Sequence, residues 1–146
     1  MNEITPIKKA QKILRESELR ILIVGDEDSN KKQLIKSSHI ENMKYFDFKE
    51  ILQPEMGGLA ESNIDLYYED IINSKEKVIV LDSVTFSTNS YDSKLCNLIK
   101  TARKNGKKLI ILTENIPDDR LKNLFGFVIK ISDDNFDRQC IIEEVF

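Results

Sequence analysis

Four aliphatic residues follow one another at Ile21-Leu22-Ile23-Val24, and this stretch decides the fold. Two more continuous aliphatic runs occupy residues 78–81 and 109–112, and two broken ones occupy residues 45–48 and 127–131. A strand with one face in water alternates apolar and polar residues, whereas a strand covered on both faces is apolar throughout. The three continuous runs therefore predict central strands of a sheet that is buried on both sides.

Stretches with the period of an amphipathic helix separate these runs. We predict helices over residues 5–18, from about residue 30, and over 64–72, 90–104, 118–125 and 137–144. Strands that alternate with helices form parallel sheets with right-handed crossovers. The prediction is an α/β fold of three layers, α/β/α, with a five-stranded, mostly parallel, doubly wound sheet. We expect a single domain over residues 1–146, with an N-terminal helix in 1–19 and the sheet core in 20–146.

Composition and charge exclude several classes of protein. The 146 residues, 40% of them hydrophobic, suit one globular domain. Because 22 basic residues stand against 25 acidic ones, the net charge is −3, which excludes a generally basic nucleic-acid coat. Cys96 and Cys140 lie far apart and His39 is the only histidine, so neither a zinc cluster nor a Ser-His-Asp hydrolase is expected. The sequence has no secretory signal and no apolar run of about 18 residues, so we expect a cytoplasmic protein without a membrane span.

Polar residues follow the apolar runs, and the carboxyl ends of parallel strands form the functional edge of an open sheet. Asp82 comes directly after the third run, Thr113 and Asn115 follow the fourth, and Lys130 lies near the end of the fifth. A carboxylate at the end of a buried strand suits a residue that holds Mg²⁺ or a metal-bound water. Capping of the next helix is the alternative role for these polar residues.

The loop after the first run resembles the phosphate-binding P-loop, whose pattern is G-x-x-x-x-G-K-[ST] between a strand and a helix. Gly25 is present, and after four residues Asn30, Lys31 and Lys32 stand where the pattern has Gly, Lys and Ser or Thr. The spacing and the lysine are kept, whereas the second glycine and the Mg²⁺-binding hydroxyl are lost. Residues 26–28 add three carboxylates, which would repel a triphosphate.

The rest of the chain extends this resemblance. Residues 77–83 look like a Walker B strand with Ser83 in the place of the usual catalytic Glu, and residues 107–115 look like a strand that ends in a polar sensor. Residues 116–131 are similar to the passage from the sensor to the fifth strand in AAA+ ATPases and in DNA translocases of the FtsK/SpoIIIE type. The resemblance implies that a bound nucleotide would contact Gly25, Asn30, Lys31, Lys32, Asp82 and Asn115, and that Mg²⁺ would contact Asp26 and Asp82.

The altered motifs predict a P-loop NTPase-like domain that has kept the architecture and lost hydrolysis. We predict a non-catalytic module that acts through a protein partner or in regulation, with an AAA+, DNA-translocation or secretion system as its setting. No cofactor is expected under this interpretation. A weak ATPase that binds ATP and Mg²⁺ is an alternative.

A second resemblance, to response-regulator receiver domains, competes with the first. Asp26 and Glu27 stand for the acidic residues after the first strand, and Asp82 stands for the phospho-acceptor. Thr113 and Lys130 match the residues that hold the phosphoryl oxygens. The order of the strands separates the two families, because the AAA+ type has its fourth strand between the first and third, whereas a receiver has the order 2-1-3-4-5.

The densest group of cations forms a basic cluster, which consists of Lys100, Arg103, Lys104, Lys107 and Lys108. Contact with nucleic acid is one interpretation of this cluster. The other interpretation is a solvated helix end, because no aromatic residue interleaves the cations to stack on bases. Asn105 and Gly106 predict that the preceding helix stops there, with cations in its last turn complementing the helix dipole.

Overall fold

The computed structural model describes residues 6–17, 20–26, 31–47, 69–84, 89–114, 122–133 and 138–145. Its helices are α1 (Pro6–Glu16), α2 (Lys31–Ser37) and α3 (Asn89–Lys104), and residues 69–72 are also helical. Its strands are β1 (Ile21–Gly25), β2 (Met43–Asp47), β3 (Val78–Val84), β4 (Lys108–Thr113), β5 (Phe127–Asp133) and β6 (Arg138–Glu144). The described residues of each of the five apolar runs lie in a strand, and the predicted α/β fold class is confirmed.

The strands of the described residues form one sheet in the order β2-β3-β4-β1-β5-β6. Strands β1 to β5 are parallel, and β6 pairs antiparallel with β5. Ile110 of β4 faces Ile21 of β1 on one side and Val80 of β3 on the other, so β4 separates the first and third strands. This is the order of the AAA+ type. The receiver order, in which the first strand pairs directly with the third, is absent from this sheet, so the prediction of a receiver-like sheet is wrong.

Alternate residues of β1 serve opposite faces of the sheet, and both faces are covered. Ile21 and Ile23 pack in one core cluster with Leu14 of α1. Leu22 packs in the other cluster with Leu98 of α3. All five side chains are fully buried, and burying a side chain of this size stabilises the fold by about 1.5–3 kcal/mol. The continuous aliphatic run of β1 is therefore the consequence of helices on both faces.

The C-terminal helix predicted over residues 137–144 is wrong, because this segment is strand β6. Cys140 is buried and Ile142 is partly buried against the core cluster beneath α1, whereas Ile141 between them is 59% exposed. That alternation is the period of a strand with one covered face. Backbone groups at the open edge of β5 need partners, and β6 supplies them. The sheet consequently has six strands and not the predicted five.

The remaining helix predictions have mixed outcomes. The helices predicted over residues 5–18, from about residue 30 and over 90–104 are observed as α1, α2 and α3. Of the helix predicted over 64–72, residues 69–72 are described and are helical. Of the helix predicted over 118–125, residues 118–121 lie outside the described residues, and residues 122–124 contain one helical residue followed by a turn. No helix in the described ranges is long and apolar enough to cross a membrane.

Two consecutive lysines fasten the amino ends of the central strands to neighbouring segments. The Lys108 ammonium donates to the carbonyl of Leu14 in the last turns of α1, at 2.5 Å from Nζ to O. Lys107 donates to the carbonyls of Ser74 and Glu76, which precede β3. Burial lowers the pKa of Lys108 to about 8, since the charged form loses hydration. A neutral amine is therefore easier to hold at this position than an ammonium.

We predict that Lys108→Met raises the free energy of unfolding at neutral pH relative to the wild type, and that this advantage shrinks as the pH rises towards 10.5. The folded pKa of Lys108 lies below its unfolded value of 10.5, so between about pH 8 and 10.5 the unfolded chain binds more protons and wild-type stability gains with pH. Urea denaturation of both proteins across this range measures the difference. Lys104→Met, at an exposed position of α3, is the control whose difference from wild type should stay constant. A Lys108→Met difference that does not change with pH would contradict the prediction.

Candidate functional site

The carboxyl ends of β1, β3 and β4 lie side by side and form the candidate site. Thr113 at the end of β4 is paired in register with Val24 of β1 and with Val84 of β3. Thr113 itself is buried, with 1% of its surface exposed. The parallel sheet thus places the beginning of the first loop and the end of the Walker B-like strand on either side of one residue.

Lys31 occupies the lysine position of the P-loop pattern, and the structure places it inside the first loop. It is the first residue of α2 and only 8% exposed. Its Nζ donates to the carbonyl of Gly25 at 2.6 Å and to that of Asp26 at 2.8 Å. The ammonium therefore closes the loop between β1 and α2 by bonding to the two residues at its beginning. Asn30, between Asp26 and Lys31, lies outside the described residues, as do Glu27, Asp28 and Asn115.

Asp82, at the end of the Walker B-like strand, is held by two hydroxyl groups. The Tyr45 hydroxyl of β2 donates to Asp82 Oδ2, and the Ser83 hydroxyl lies 3.4 Å from Asp82 Oδ1. Burial is the main cause that raises the pKa of Tyr45 above its usual value, and the hydrogen bond to Asp82 and the charges of Asp82 and Asp47 raise it further. The raised pKa keeps Tyr45 in the protonated form that donates to Asp82.

The backbone at Ser83 departs from regular strand geometry. Ser83 has a φ of 61°, in the left-handed region that residues with a Cβ rarely adopt. The pairing of β3 with β4 shifts register between Leu81 and Val84, so two residues of β3 form a bulge at this point. Bulges re-aim side chains at the rims of sheets, and strained non-glycine residues are concentrated at functional sites. The irregular segment coincides with the two residues that the sequence singled out, Asp82 and Ser83.

Lys32 stands where the P-loop pattern has a Mg²⁺-binding hydroxyl, and its ammonium turns to an aromatic ring. Its Nζ lies 5.5 Å from the centroid of the Tyr45 ring, within cation–π range. Because the Tyr45 hydroxyl bonds to Asp82, a chain of contacts runs from the start of α2 to the end of β3. The sequence alone did not identify Tyr45 as a member of the site. Only the pairing of β2 with β3 reveals it, because β2 and β3 are separated by a long segment of the chain.

Lys130, the fifth residue of the receiver-like set, has a different environment. Its strand β5 continues to Asp133, and its Nζ lies 3.6 Å from the Glu143 carboxylate of β6, which Lys122 also contacts at 2.8 Å. These two lysines lower the pKa of Glu143. In the described part of the chain Lys130 thus belongs to an ion-pair group on the β5–β6 hairpin.

Among the described residues, no group of three or more His, Cys, Asp or Glu side chains is arranged to hold a metal ion. The two predicted Mg²⁺ contacts, Asp26 and Asp82, follow different strands, β1 and β3. The carboxylate of Asp82 has acceptor positions beyond the two hydroxyl contacts, because an ionised carboxyl group offers about four lone-pair sites. Mg²⁺ contact by Asp26 and Asp82 therefore stays a prediction.

The basic cluster is divided by the structure into two parts. Lys107 and Lys108 are partly buried and donate to backbone carbonyls of neighbouring segments. Lys100, Arg103 and Lys104 are exposed on α3. The predicted end of the preceding helix at Gly106 is confirmed, with a φ of 72° at this glycine. The cluster is therefore not a single open surface of five cations.

The strand order described above is that of the AAA+ type of P-loop fold. Solved structures of DNA replication initiators share this fold. A DNA replication initiation factor has a TM-score of 0.59 and 19% identity, and the match covers 88% of this chain and 44% of that one. DnaA from Aquifex aeolicus bound to AMPPCP also has a TM-score of 0.59, with 16% identity and coverages of 88% and 46%.

A DnaA initiator bound to AMPPCP and single-stranded DNA matches equally well, with a TM-score of 0.59, 18% identity, and coverages of 89% and 45%. The chain therefore spans less than half the length of these three structures. No protein-family model and no curated protein matches the sequence. At these identities the likeness establishes the fold.

We predict that Tyr45 and Asp82 stabilise the fold jointly through their hydrogen bond. A double-mutant cycle with Tyr45→Phe and Asp82→Ala should give a favourable coupling energy of roughly 1–3 kcal/mol, the range for hydrogen bonds to charged groups. Urea denaturation of the wild type, both single variants and the double variant provides the four free energies. The same cycle with Tyr45→Phe and Asp70→Asn, at an exposed acid in residues 69–72, should give a coupling near zero. Strict additivity of Tyr45→Phe and Asp82→Ala would show that the contact contributes nothing.

Proposed function

We propose that this domain is a P-loop NTPase-like module that does not hydrolyse ATP and acts by binding a protein partner. The observation that carries the proposal is the state of Asp82, whose carboxylate accepts hydrogen bonds from the chain's own hydroxyl groups. In a working site of this kind the carboxylate supports Mg²⁺ through its oxygens. Here one oxygen is occupied by Tyr45, a donor that stays protonated because its pKa is raised.

Ser83 supports the same proposal through proton chemistry. Hydrolysis needs a group that orients the attacking water and accepts its proton, and a carboxylate fulfils that role in a Walker B strand. A serine hydroxyl is far too weak a base at neutral pH to do so. Ser83 also lies in a strained backbone conformation and directs its hydroxyl to Asp82. The residue in the position of the catalytic Glu therefore serves the chain's own structure.

Lys31 supports the proposal from the other side of the site. A P-loop lysine contributes by placing its ammonium against phosphate oxygens. The Lys31 ammonium is buried and bonds to two carbonyls of its own loop, and both bonds would have to break for it to reach a phosphate. The carboxylate of Asp26 and the two acidic residues that follow it add repulsion for a triphosphate. ATP binding is a feature of the fold, as the AMPPCP-bound neighbours illustrate, and under this proposal any such binding is weak and without turnover.

Contact with a protein is supported by the open edge of the sheet at β6. This strand has one paired neighbour, β5, and carries Ile141, the large apolar residue that is 59% exposed in the described part of the chain. An edge strand offers unpaired backbone donors and acceptors, and a neighbouring apolar side chain gives an incoming segment a surface to cover. We propose this edge as the side of the module that meets its partner.

Nucleic-acid contact through Lys100, Arg103 and Lys104 is the second candidate. It is favoured by their exposure on α3 and by the single-stranded DNA bound to one of the structural neighbours. It has less support than the first candidate, because Lys107 and Lys108 are engaged with backbone carbonyls.

We predict that the purified chain releases no more phosphate from Mg-ATP than a buffer blank, and that Lys31→Ala leaves this rate unchanged. The physical reason is the loss of the catalytic carboxylate at Ser83 and the commitment of Lys31 to its own loop. A phosphate-release assay with calorimetry of Mg-ATP binding measures both properties. Lys36→Ala, at an exposed lysine in the last turn of α2, is the matched control. Turnover that disappears in Lys31→Ala and persists in Lys36→Ala would contradict the proposal.

A variant in which the P-loop and Walker B residues are restored tests why the site binds ATP weakly. Asn30→Gly, Lys32→Thr and Ser83→Glu together restore the second glycine, the hydroxyl and the carboxylate of the pattern. Under the proposal, this variant binds Mg-ATP more tightly than the wild type. If the wild type already binds as tightly, the altered residues are not what weakens the site.

A further inference from the structure

The amino-terminal edge of the sheet, opposite the candidate site, contains a cavity of 1430 Å³. Its walls come from the last turns of α1 and α3, from the segments that precede β1, β3 and β4, and from residues 39–41 before β2. Seven arginine and lysine side chains line it, against two carboxylates, those of Glu16 and Glu41. The cavity is therefore strongly positive in a chain whose net charge is −3.

Arg20, directly before β1, is the central residue of this cavity. Only 8% of its surface is exposed, and its buried Nε has no hydrogen-bond partner among the described residues. Burial lowers the pKa of Arg20, and the charge of the nearby Arg103 lowers it further. A buried N–H donor without an acceptor, in a cation that a second cation repels, is unfavourable unless an anion supplies the acceptor. The two arginines thus mark a position that a negative group would stabilise.

Some of the cavity's cations have a structural role, because they donate to backbone carbonyls, several of them at the ends of helices. Carbonyls at helix C-termini attract cations, and Lys108 and Arg15 donate to such backbone oxygens, at Leu14 and Ser38 respectively. Lys107 donates likewise to the carbonyl of Glu76.

A surplus remains after these contacts. It comprises Arg20, Lys75, Lys77 and Arg103, which make no side-chain hydrogen bond or ion pair with the described residues. Glu16 and Glu41 form no ion pair within 4.0 Å with a described cation either, so the surplus is not neutralised within the described chain.

The walls of the cavity are held in place before any ligand arrives. Gly106 ends α3 with a φ of 72°, and the amide of Lys107 donates to the carbonyl of Ala102 at 2.9 Å, which together form a capped helix end. Lys108 ties the start of β4 to α1, and Lys107 ties it to the segment before β3. A preformed cavity loses little conformational entropy on binding.

We propose that this cavity is a binding site for a compact polyanion, a small molecule that carries two or more phosphate groups. Arginine and lysine are the donors that recognise phosphate oxygens, and several of them line this open cavity. The described lining contains no Phe, Tyr or Trp, so it offers single-stranded nucleic acid no ring on which to stack its bases. Under this proposal, the cavity recognises its ligand by charge and by size.

Inorganic tripolyphosphate is the probe, and calorimetric titration of the whole chain is the measurement. We expect saturable binding that weakens by roughly tenfold in Arg103→Gln, because a charge-assisted contact is lost. Arg103 is exposed, so this variant should fold normally. Arg20→Met should weaken binding further, and its circular dichroism spectrum is to be compared with that of the wild type to test whether it is folded. Lys12→Gln removes one charge from an exposed position of α1 outside the cavity and should bind like the wild type.

Three outcomes would overturn the proposal. One is the absence of saturable binding at millimolar tripolyphosphate. Another is equal weakening in Lys12→Gln and Arg103→Gln, which would indicate attraction by overall charge. The third is tighter binding of an oligothymidine than of tripolyphosphate with the same dependence on Arg103, which would identify a nucleic-acid surface. Lys31→Ala keeps this test separate from the proposed function, because tripolyphosphate binding that is lost in Lys31→Ala belongs to the carboxyl edge of the sheet.

Discussion

The burial of β1 on both faces and both edges is the constraint on which the rest of the molecule depends. β1 lies between β4 and β5, and its residues alternate between two core clusters beneath helices on opposite faces. A strand in that position has no solvent side, so polar groups can follow it only at its two ends. The chemistry of the chain is consequently concentrated at two edges of one sheet, the carboxyl edge near Gly25 and the amino edge near Arg20.

At the carboxyl edge, the described polar side chains form hydrogen bonds with other groups of the chain. Lys31 bonds to the start of its own loop, and Asp82 accepts the hydroxyl groups of Tyr45 and Ser83. Buried polar groups are costly when unsatisfied, and these contacts remove that cost without a ligand. An edge that satisfies its own charges has less to gain from a nucleotide. These internal hydrogen bonds are the physical basis of the proposal that the domain has a P-loop NTPase-like fold and acts by binding a protein partner.

At the amino edge, the cations outnumber the acceptors that the described residues offer them. Lys107 and Lys108 hold segments together, but Arg20 and Arg103 line the same cavity and form no side-chain hydrogen bond or ion pair with the described residues. The net charge of −3 conceals this difference, because it averages an acidic first loop with a basic opposite edge. In the described residues, Lys31 and Asp82 at one edge bond to neighbouring groups of the chain, whereas the opposite edge has surplus positive charge.

The sequence by itself determined five of the six described strands, the fold class, the end of α3 at Gly106, the place of Lys31 in the P-loop pattern and the place of Asp82 near the end of β3. These follow from local properties, since an unbroken aliphatic run and a glycine after a helix act over a few residues. Only the tertiary structure decided that β4 lies between β1 and β3, that residues 138–144 form β6, and that Tyr45 reaches Asp82. It alone brought Arg20 next to Arg103. The reason is that these facts depend on which strands and helix ends become neighbours, and contacts between residues distant along the chain leave no periodicity in the sequence.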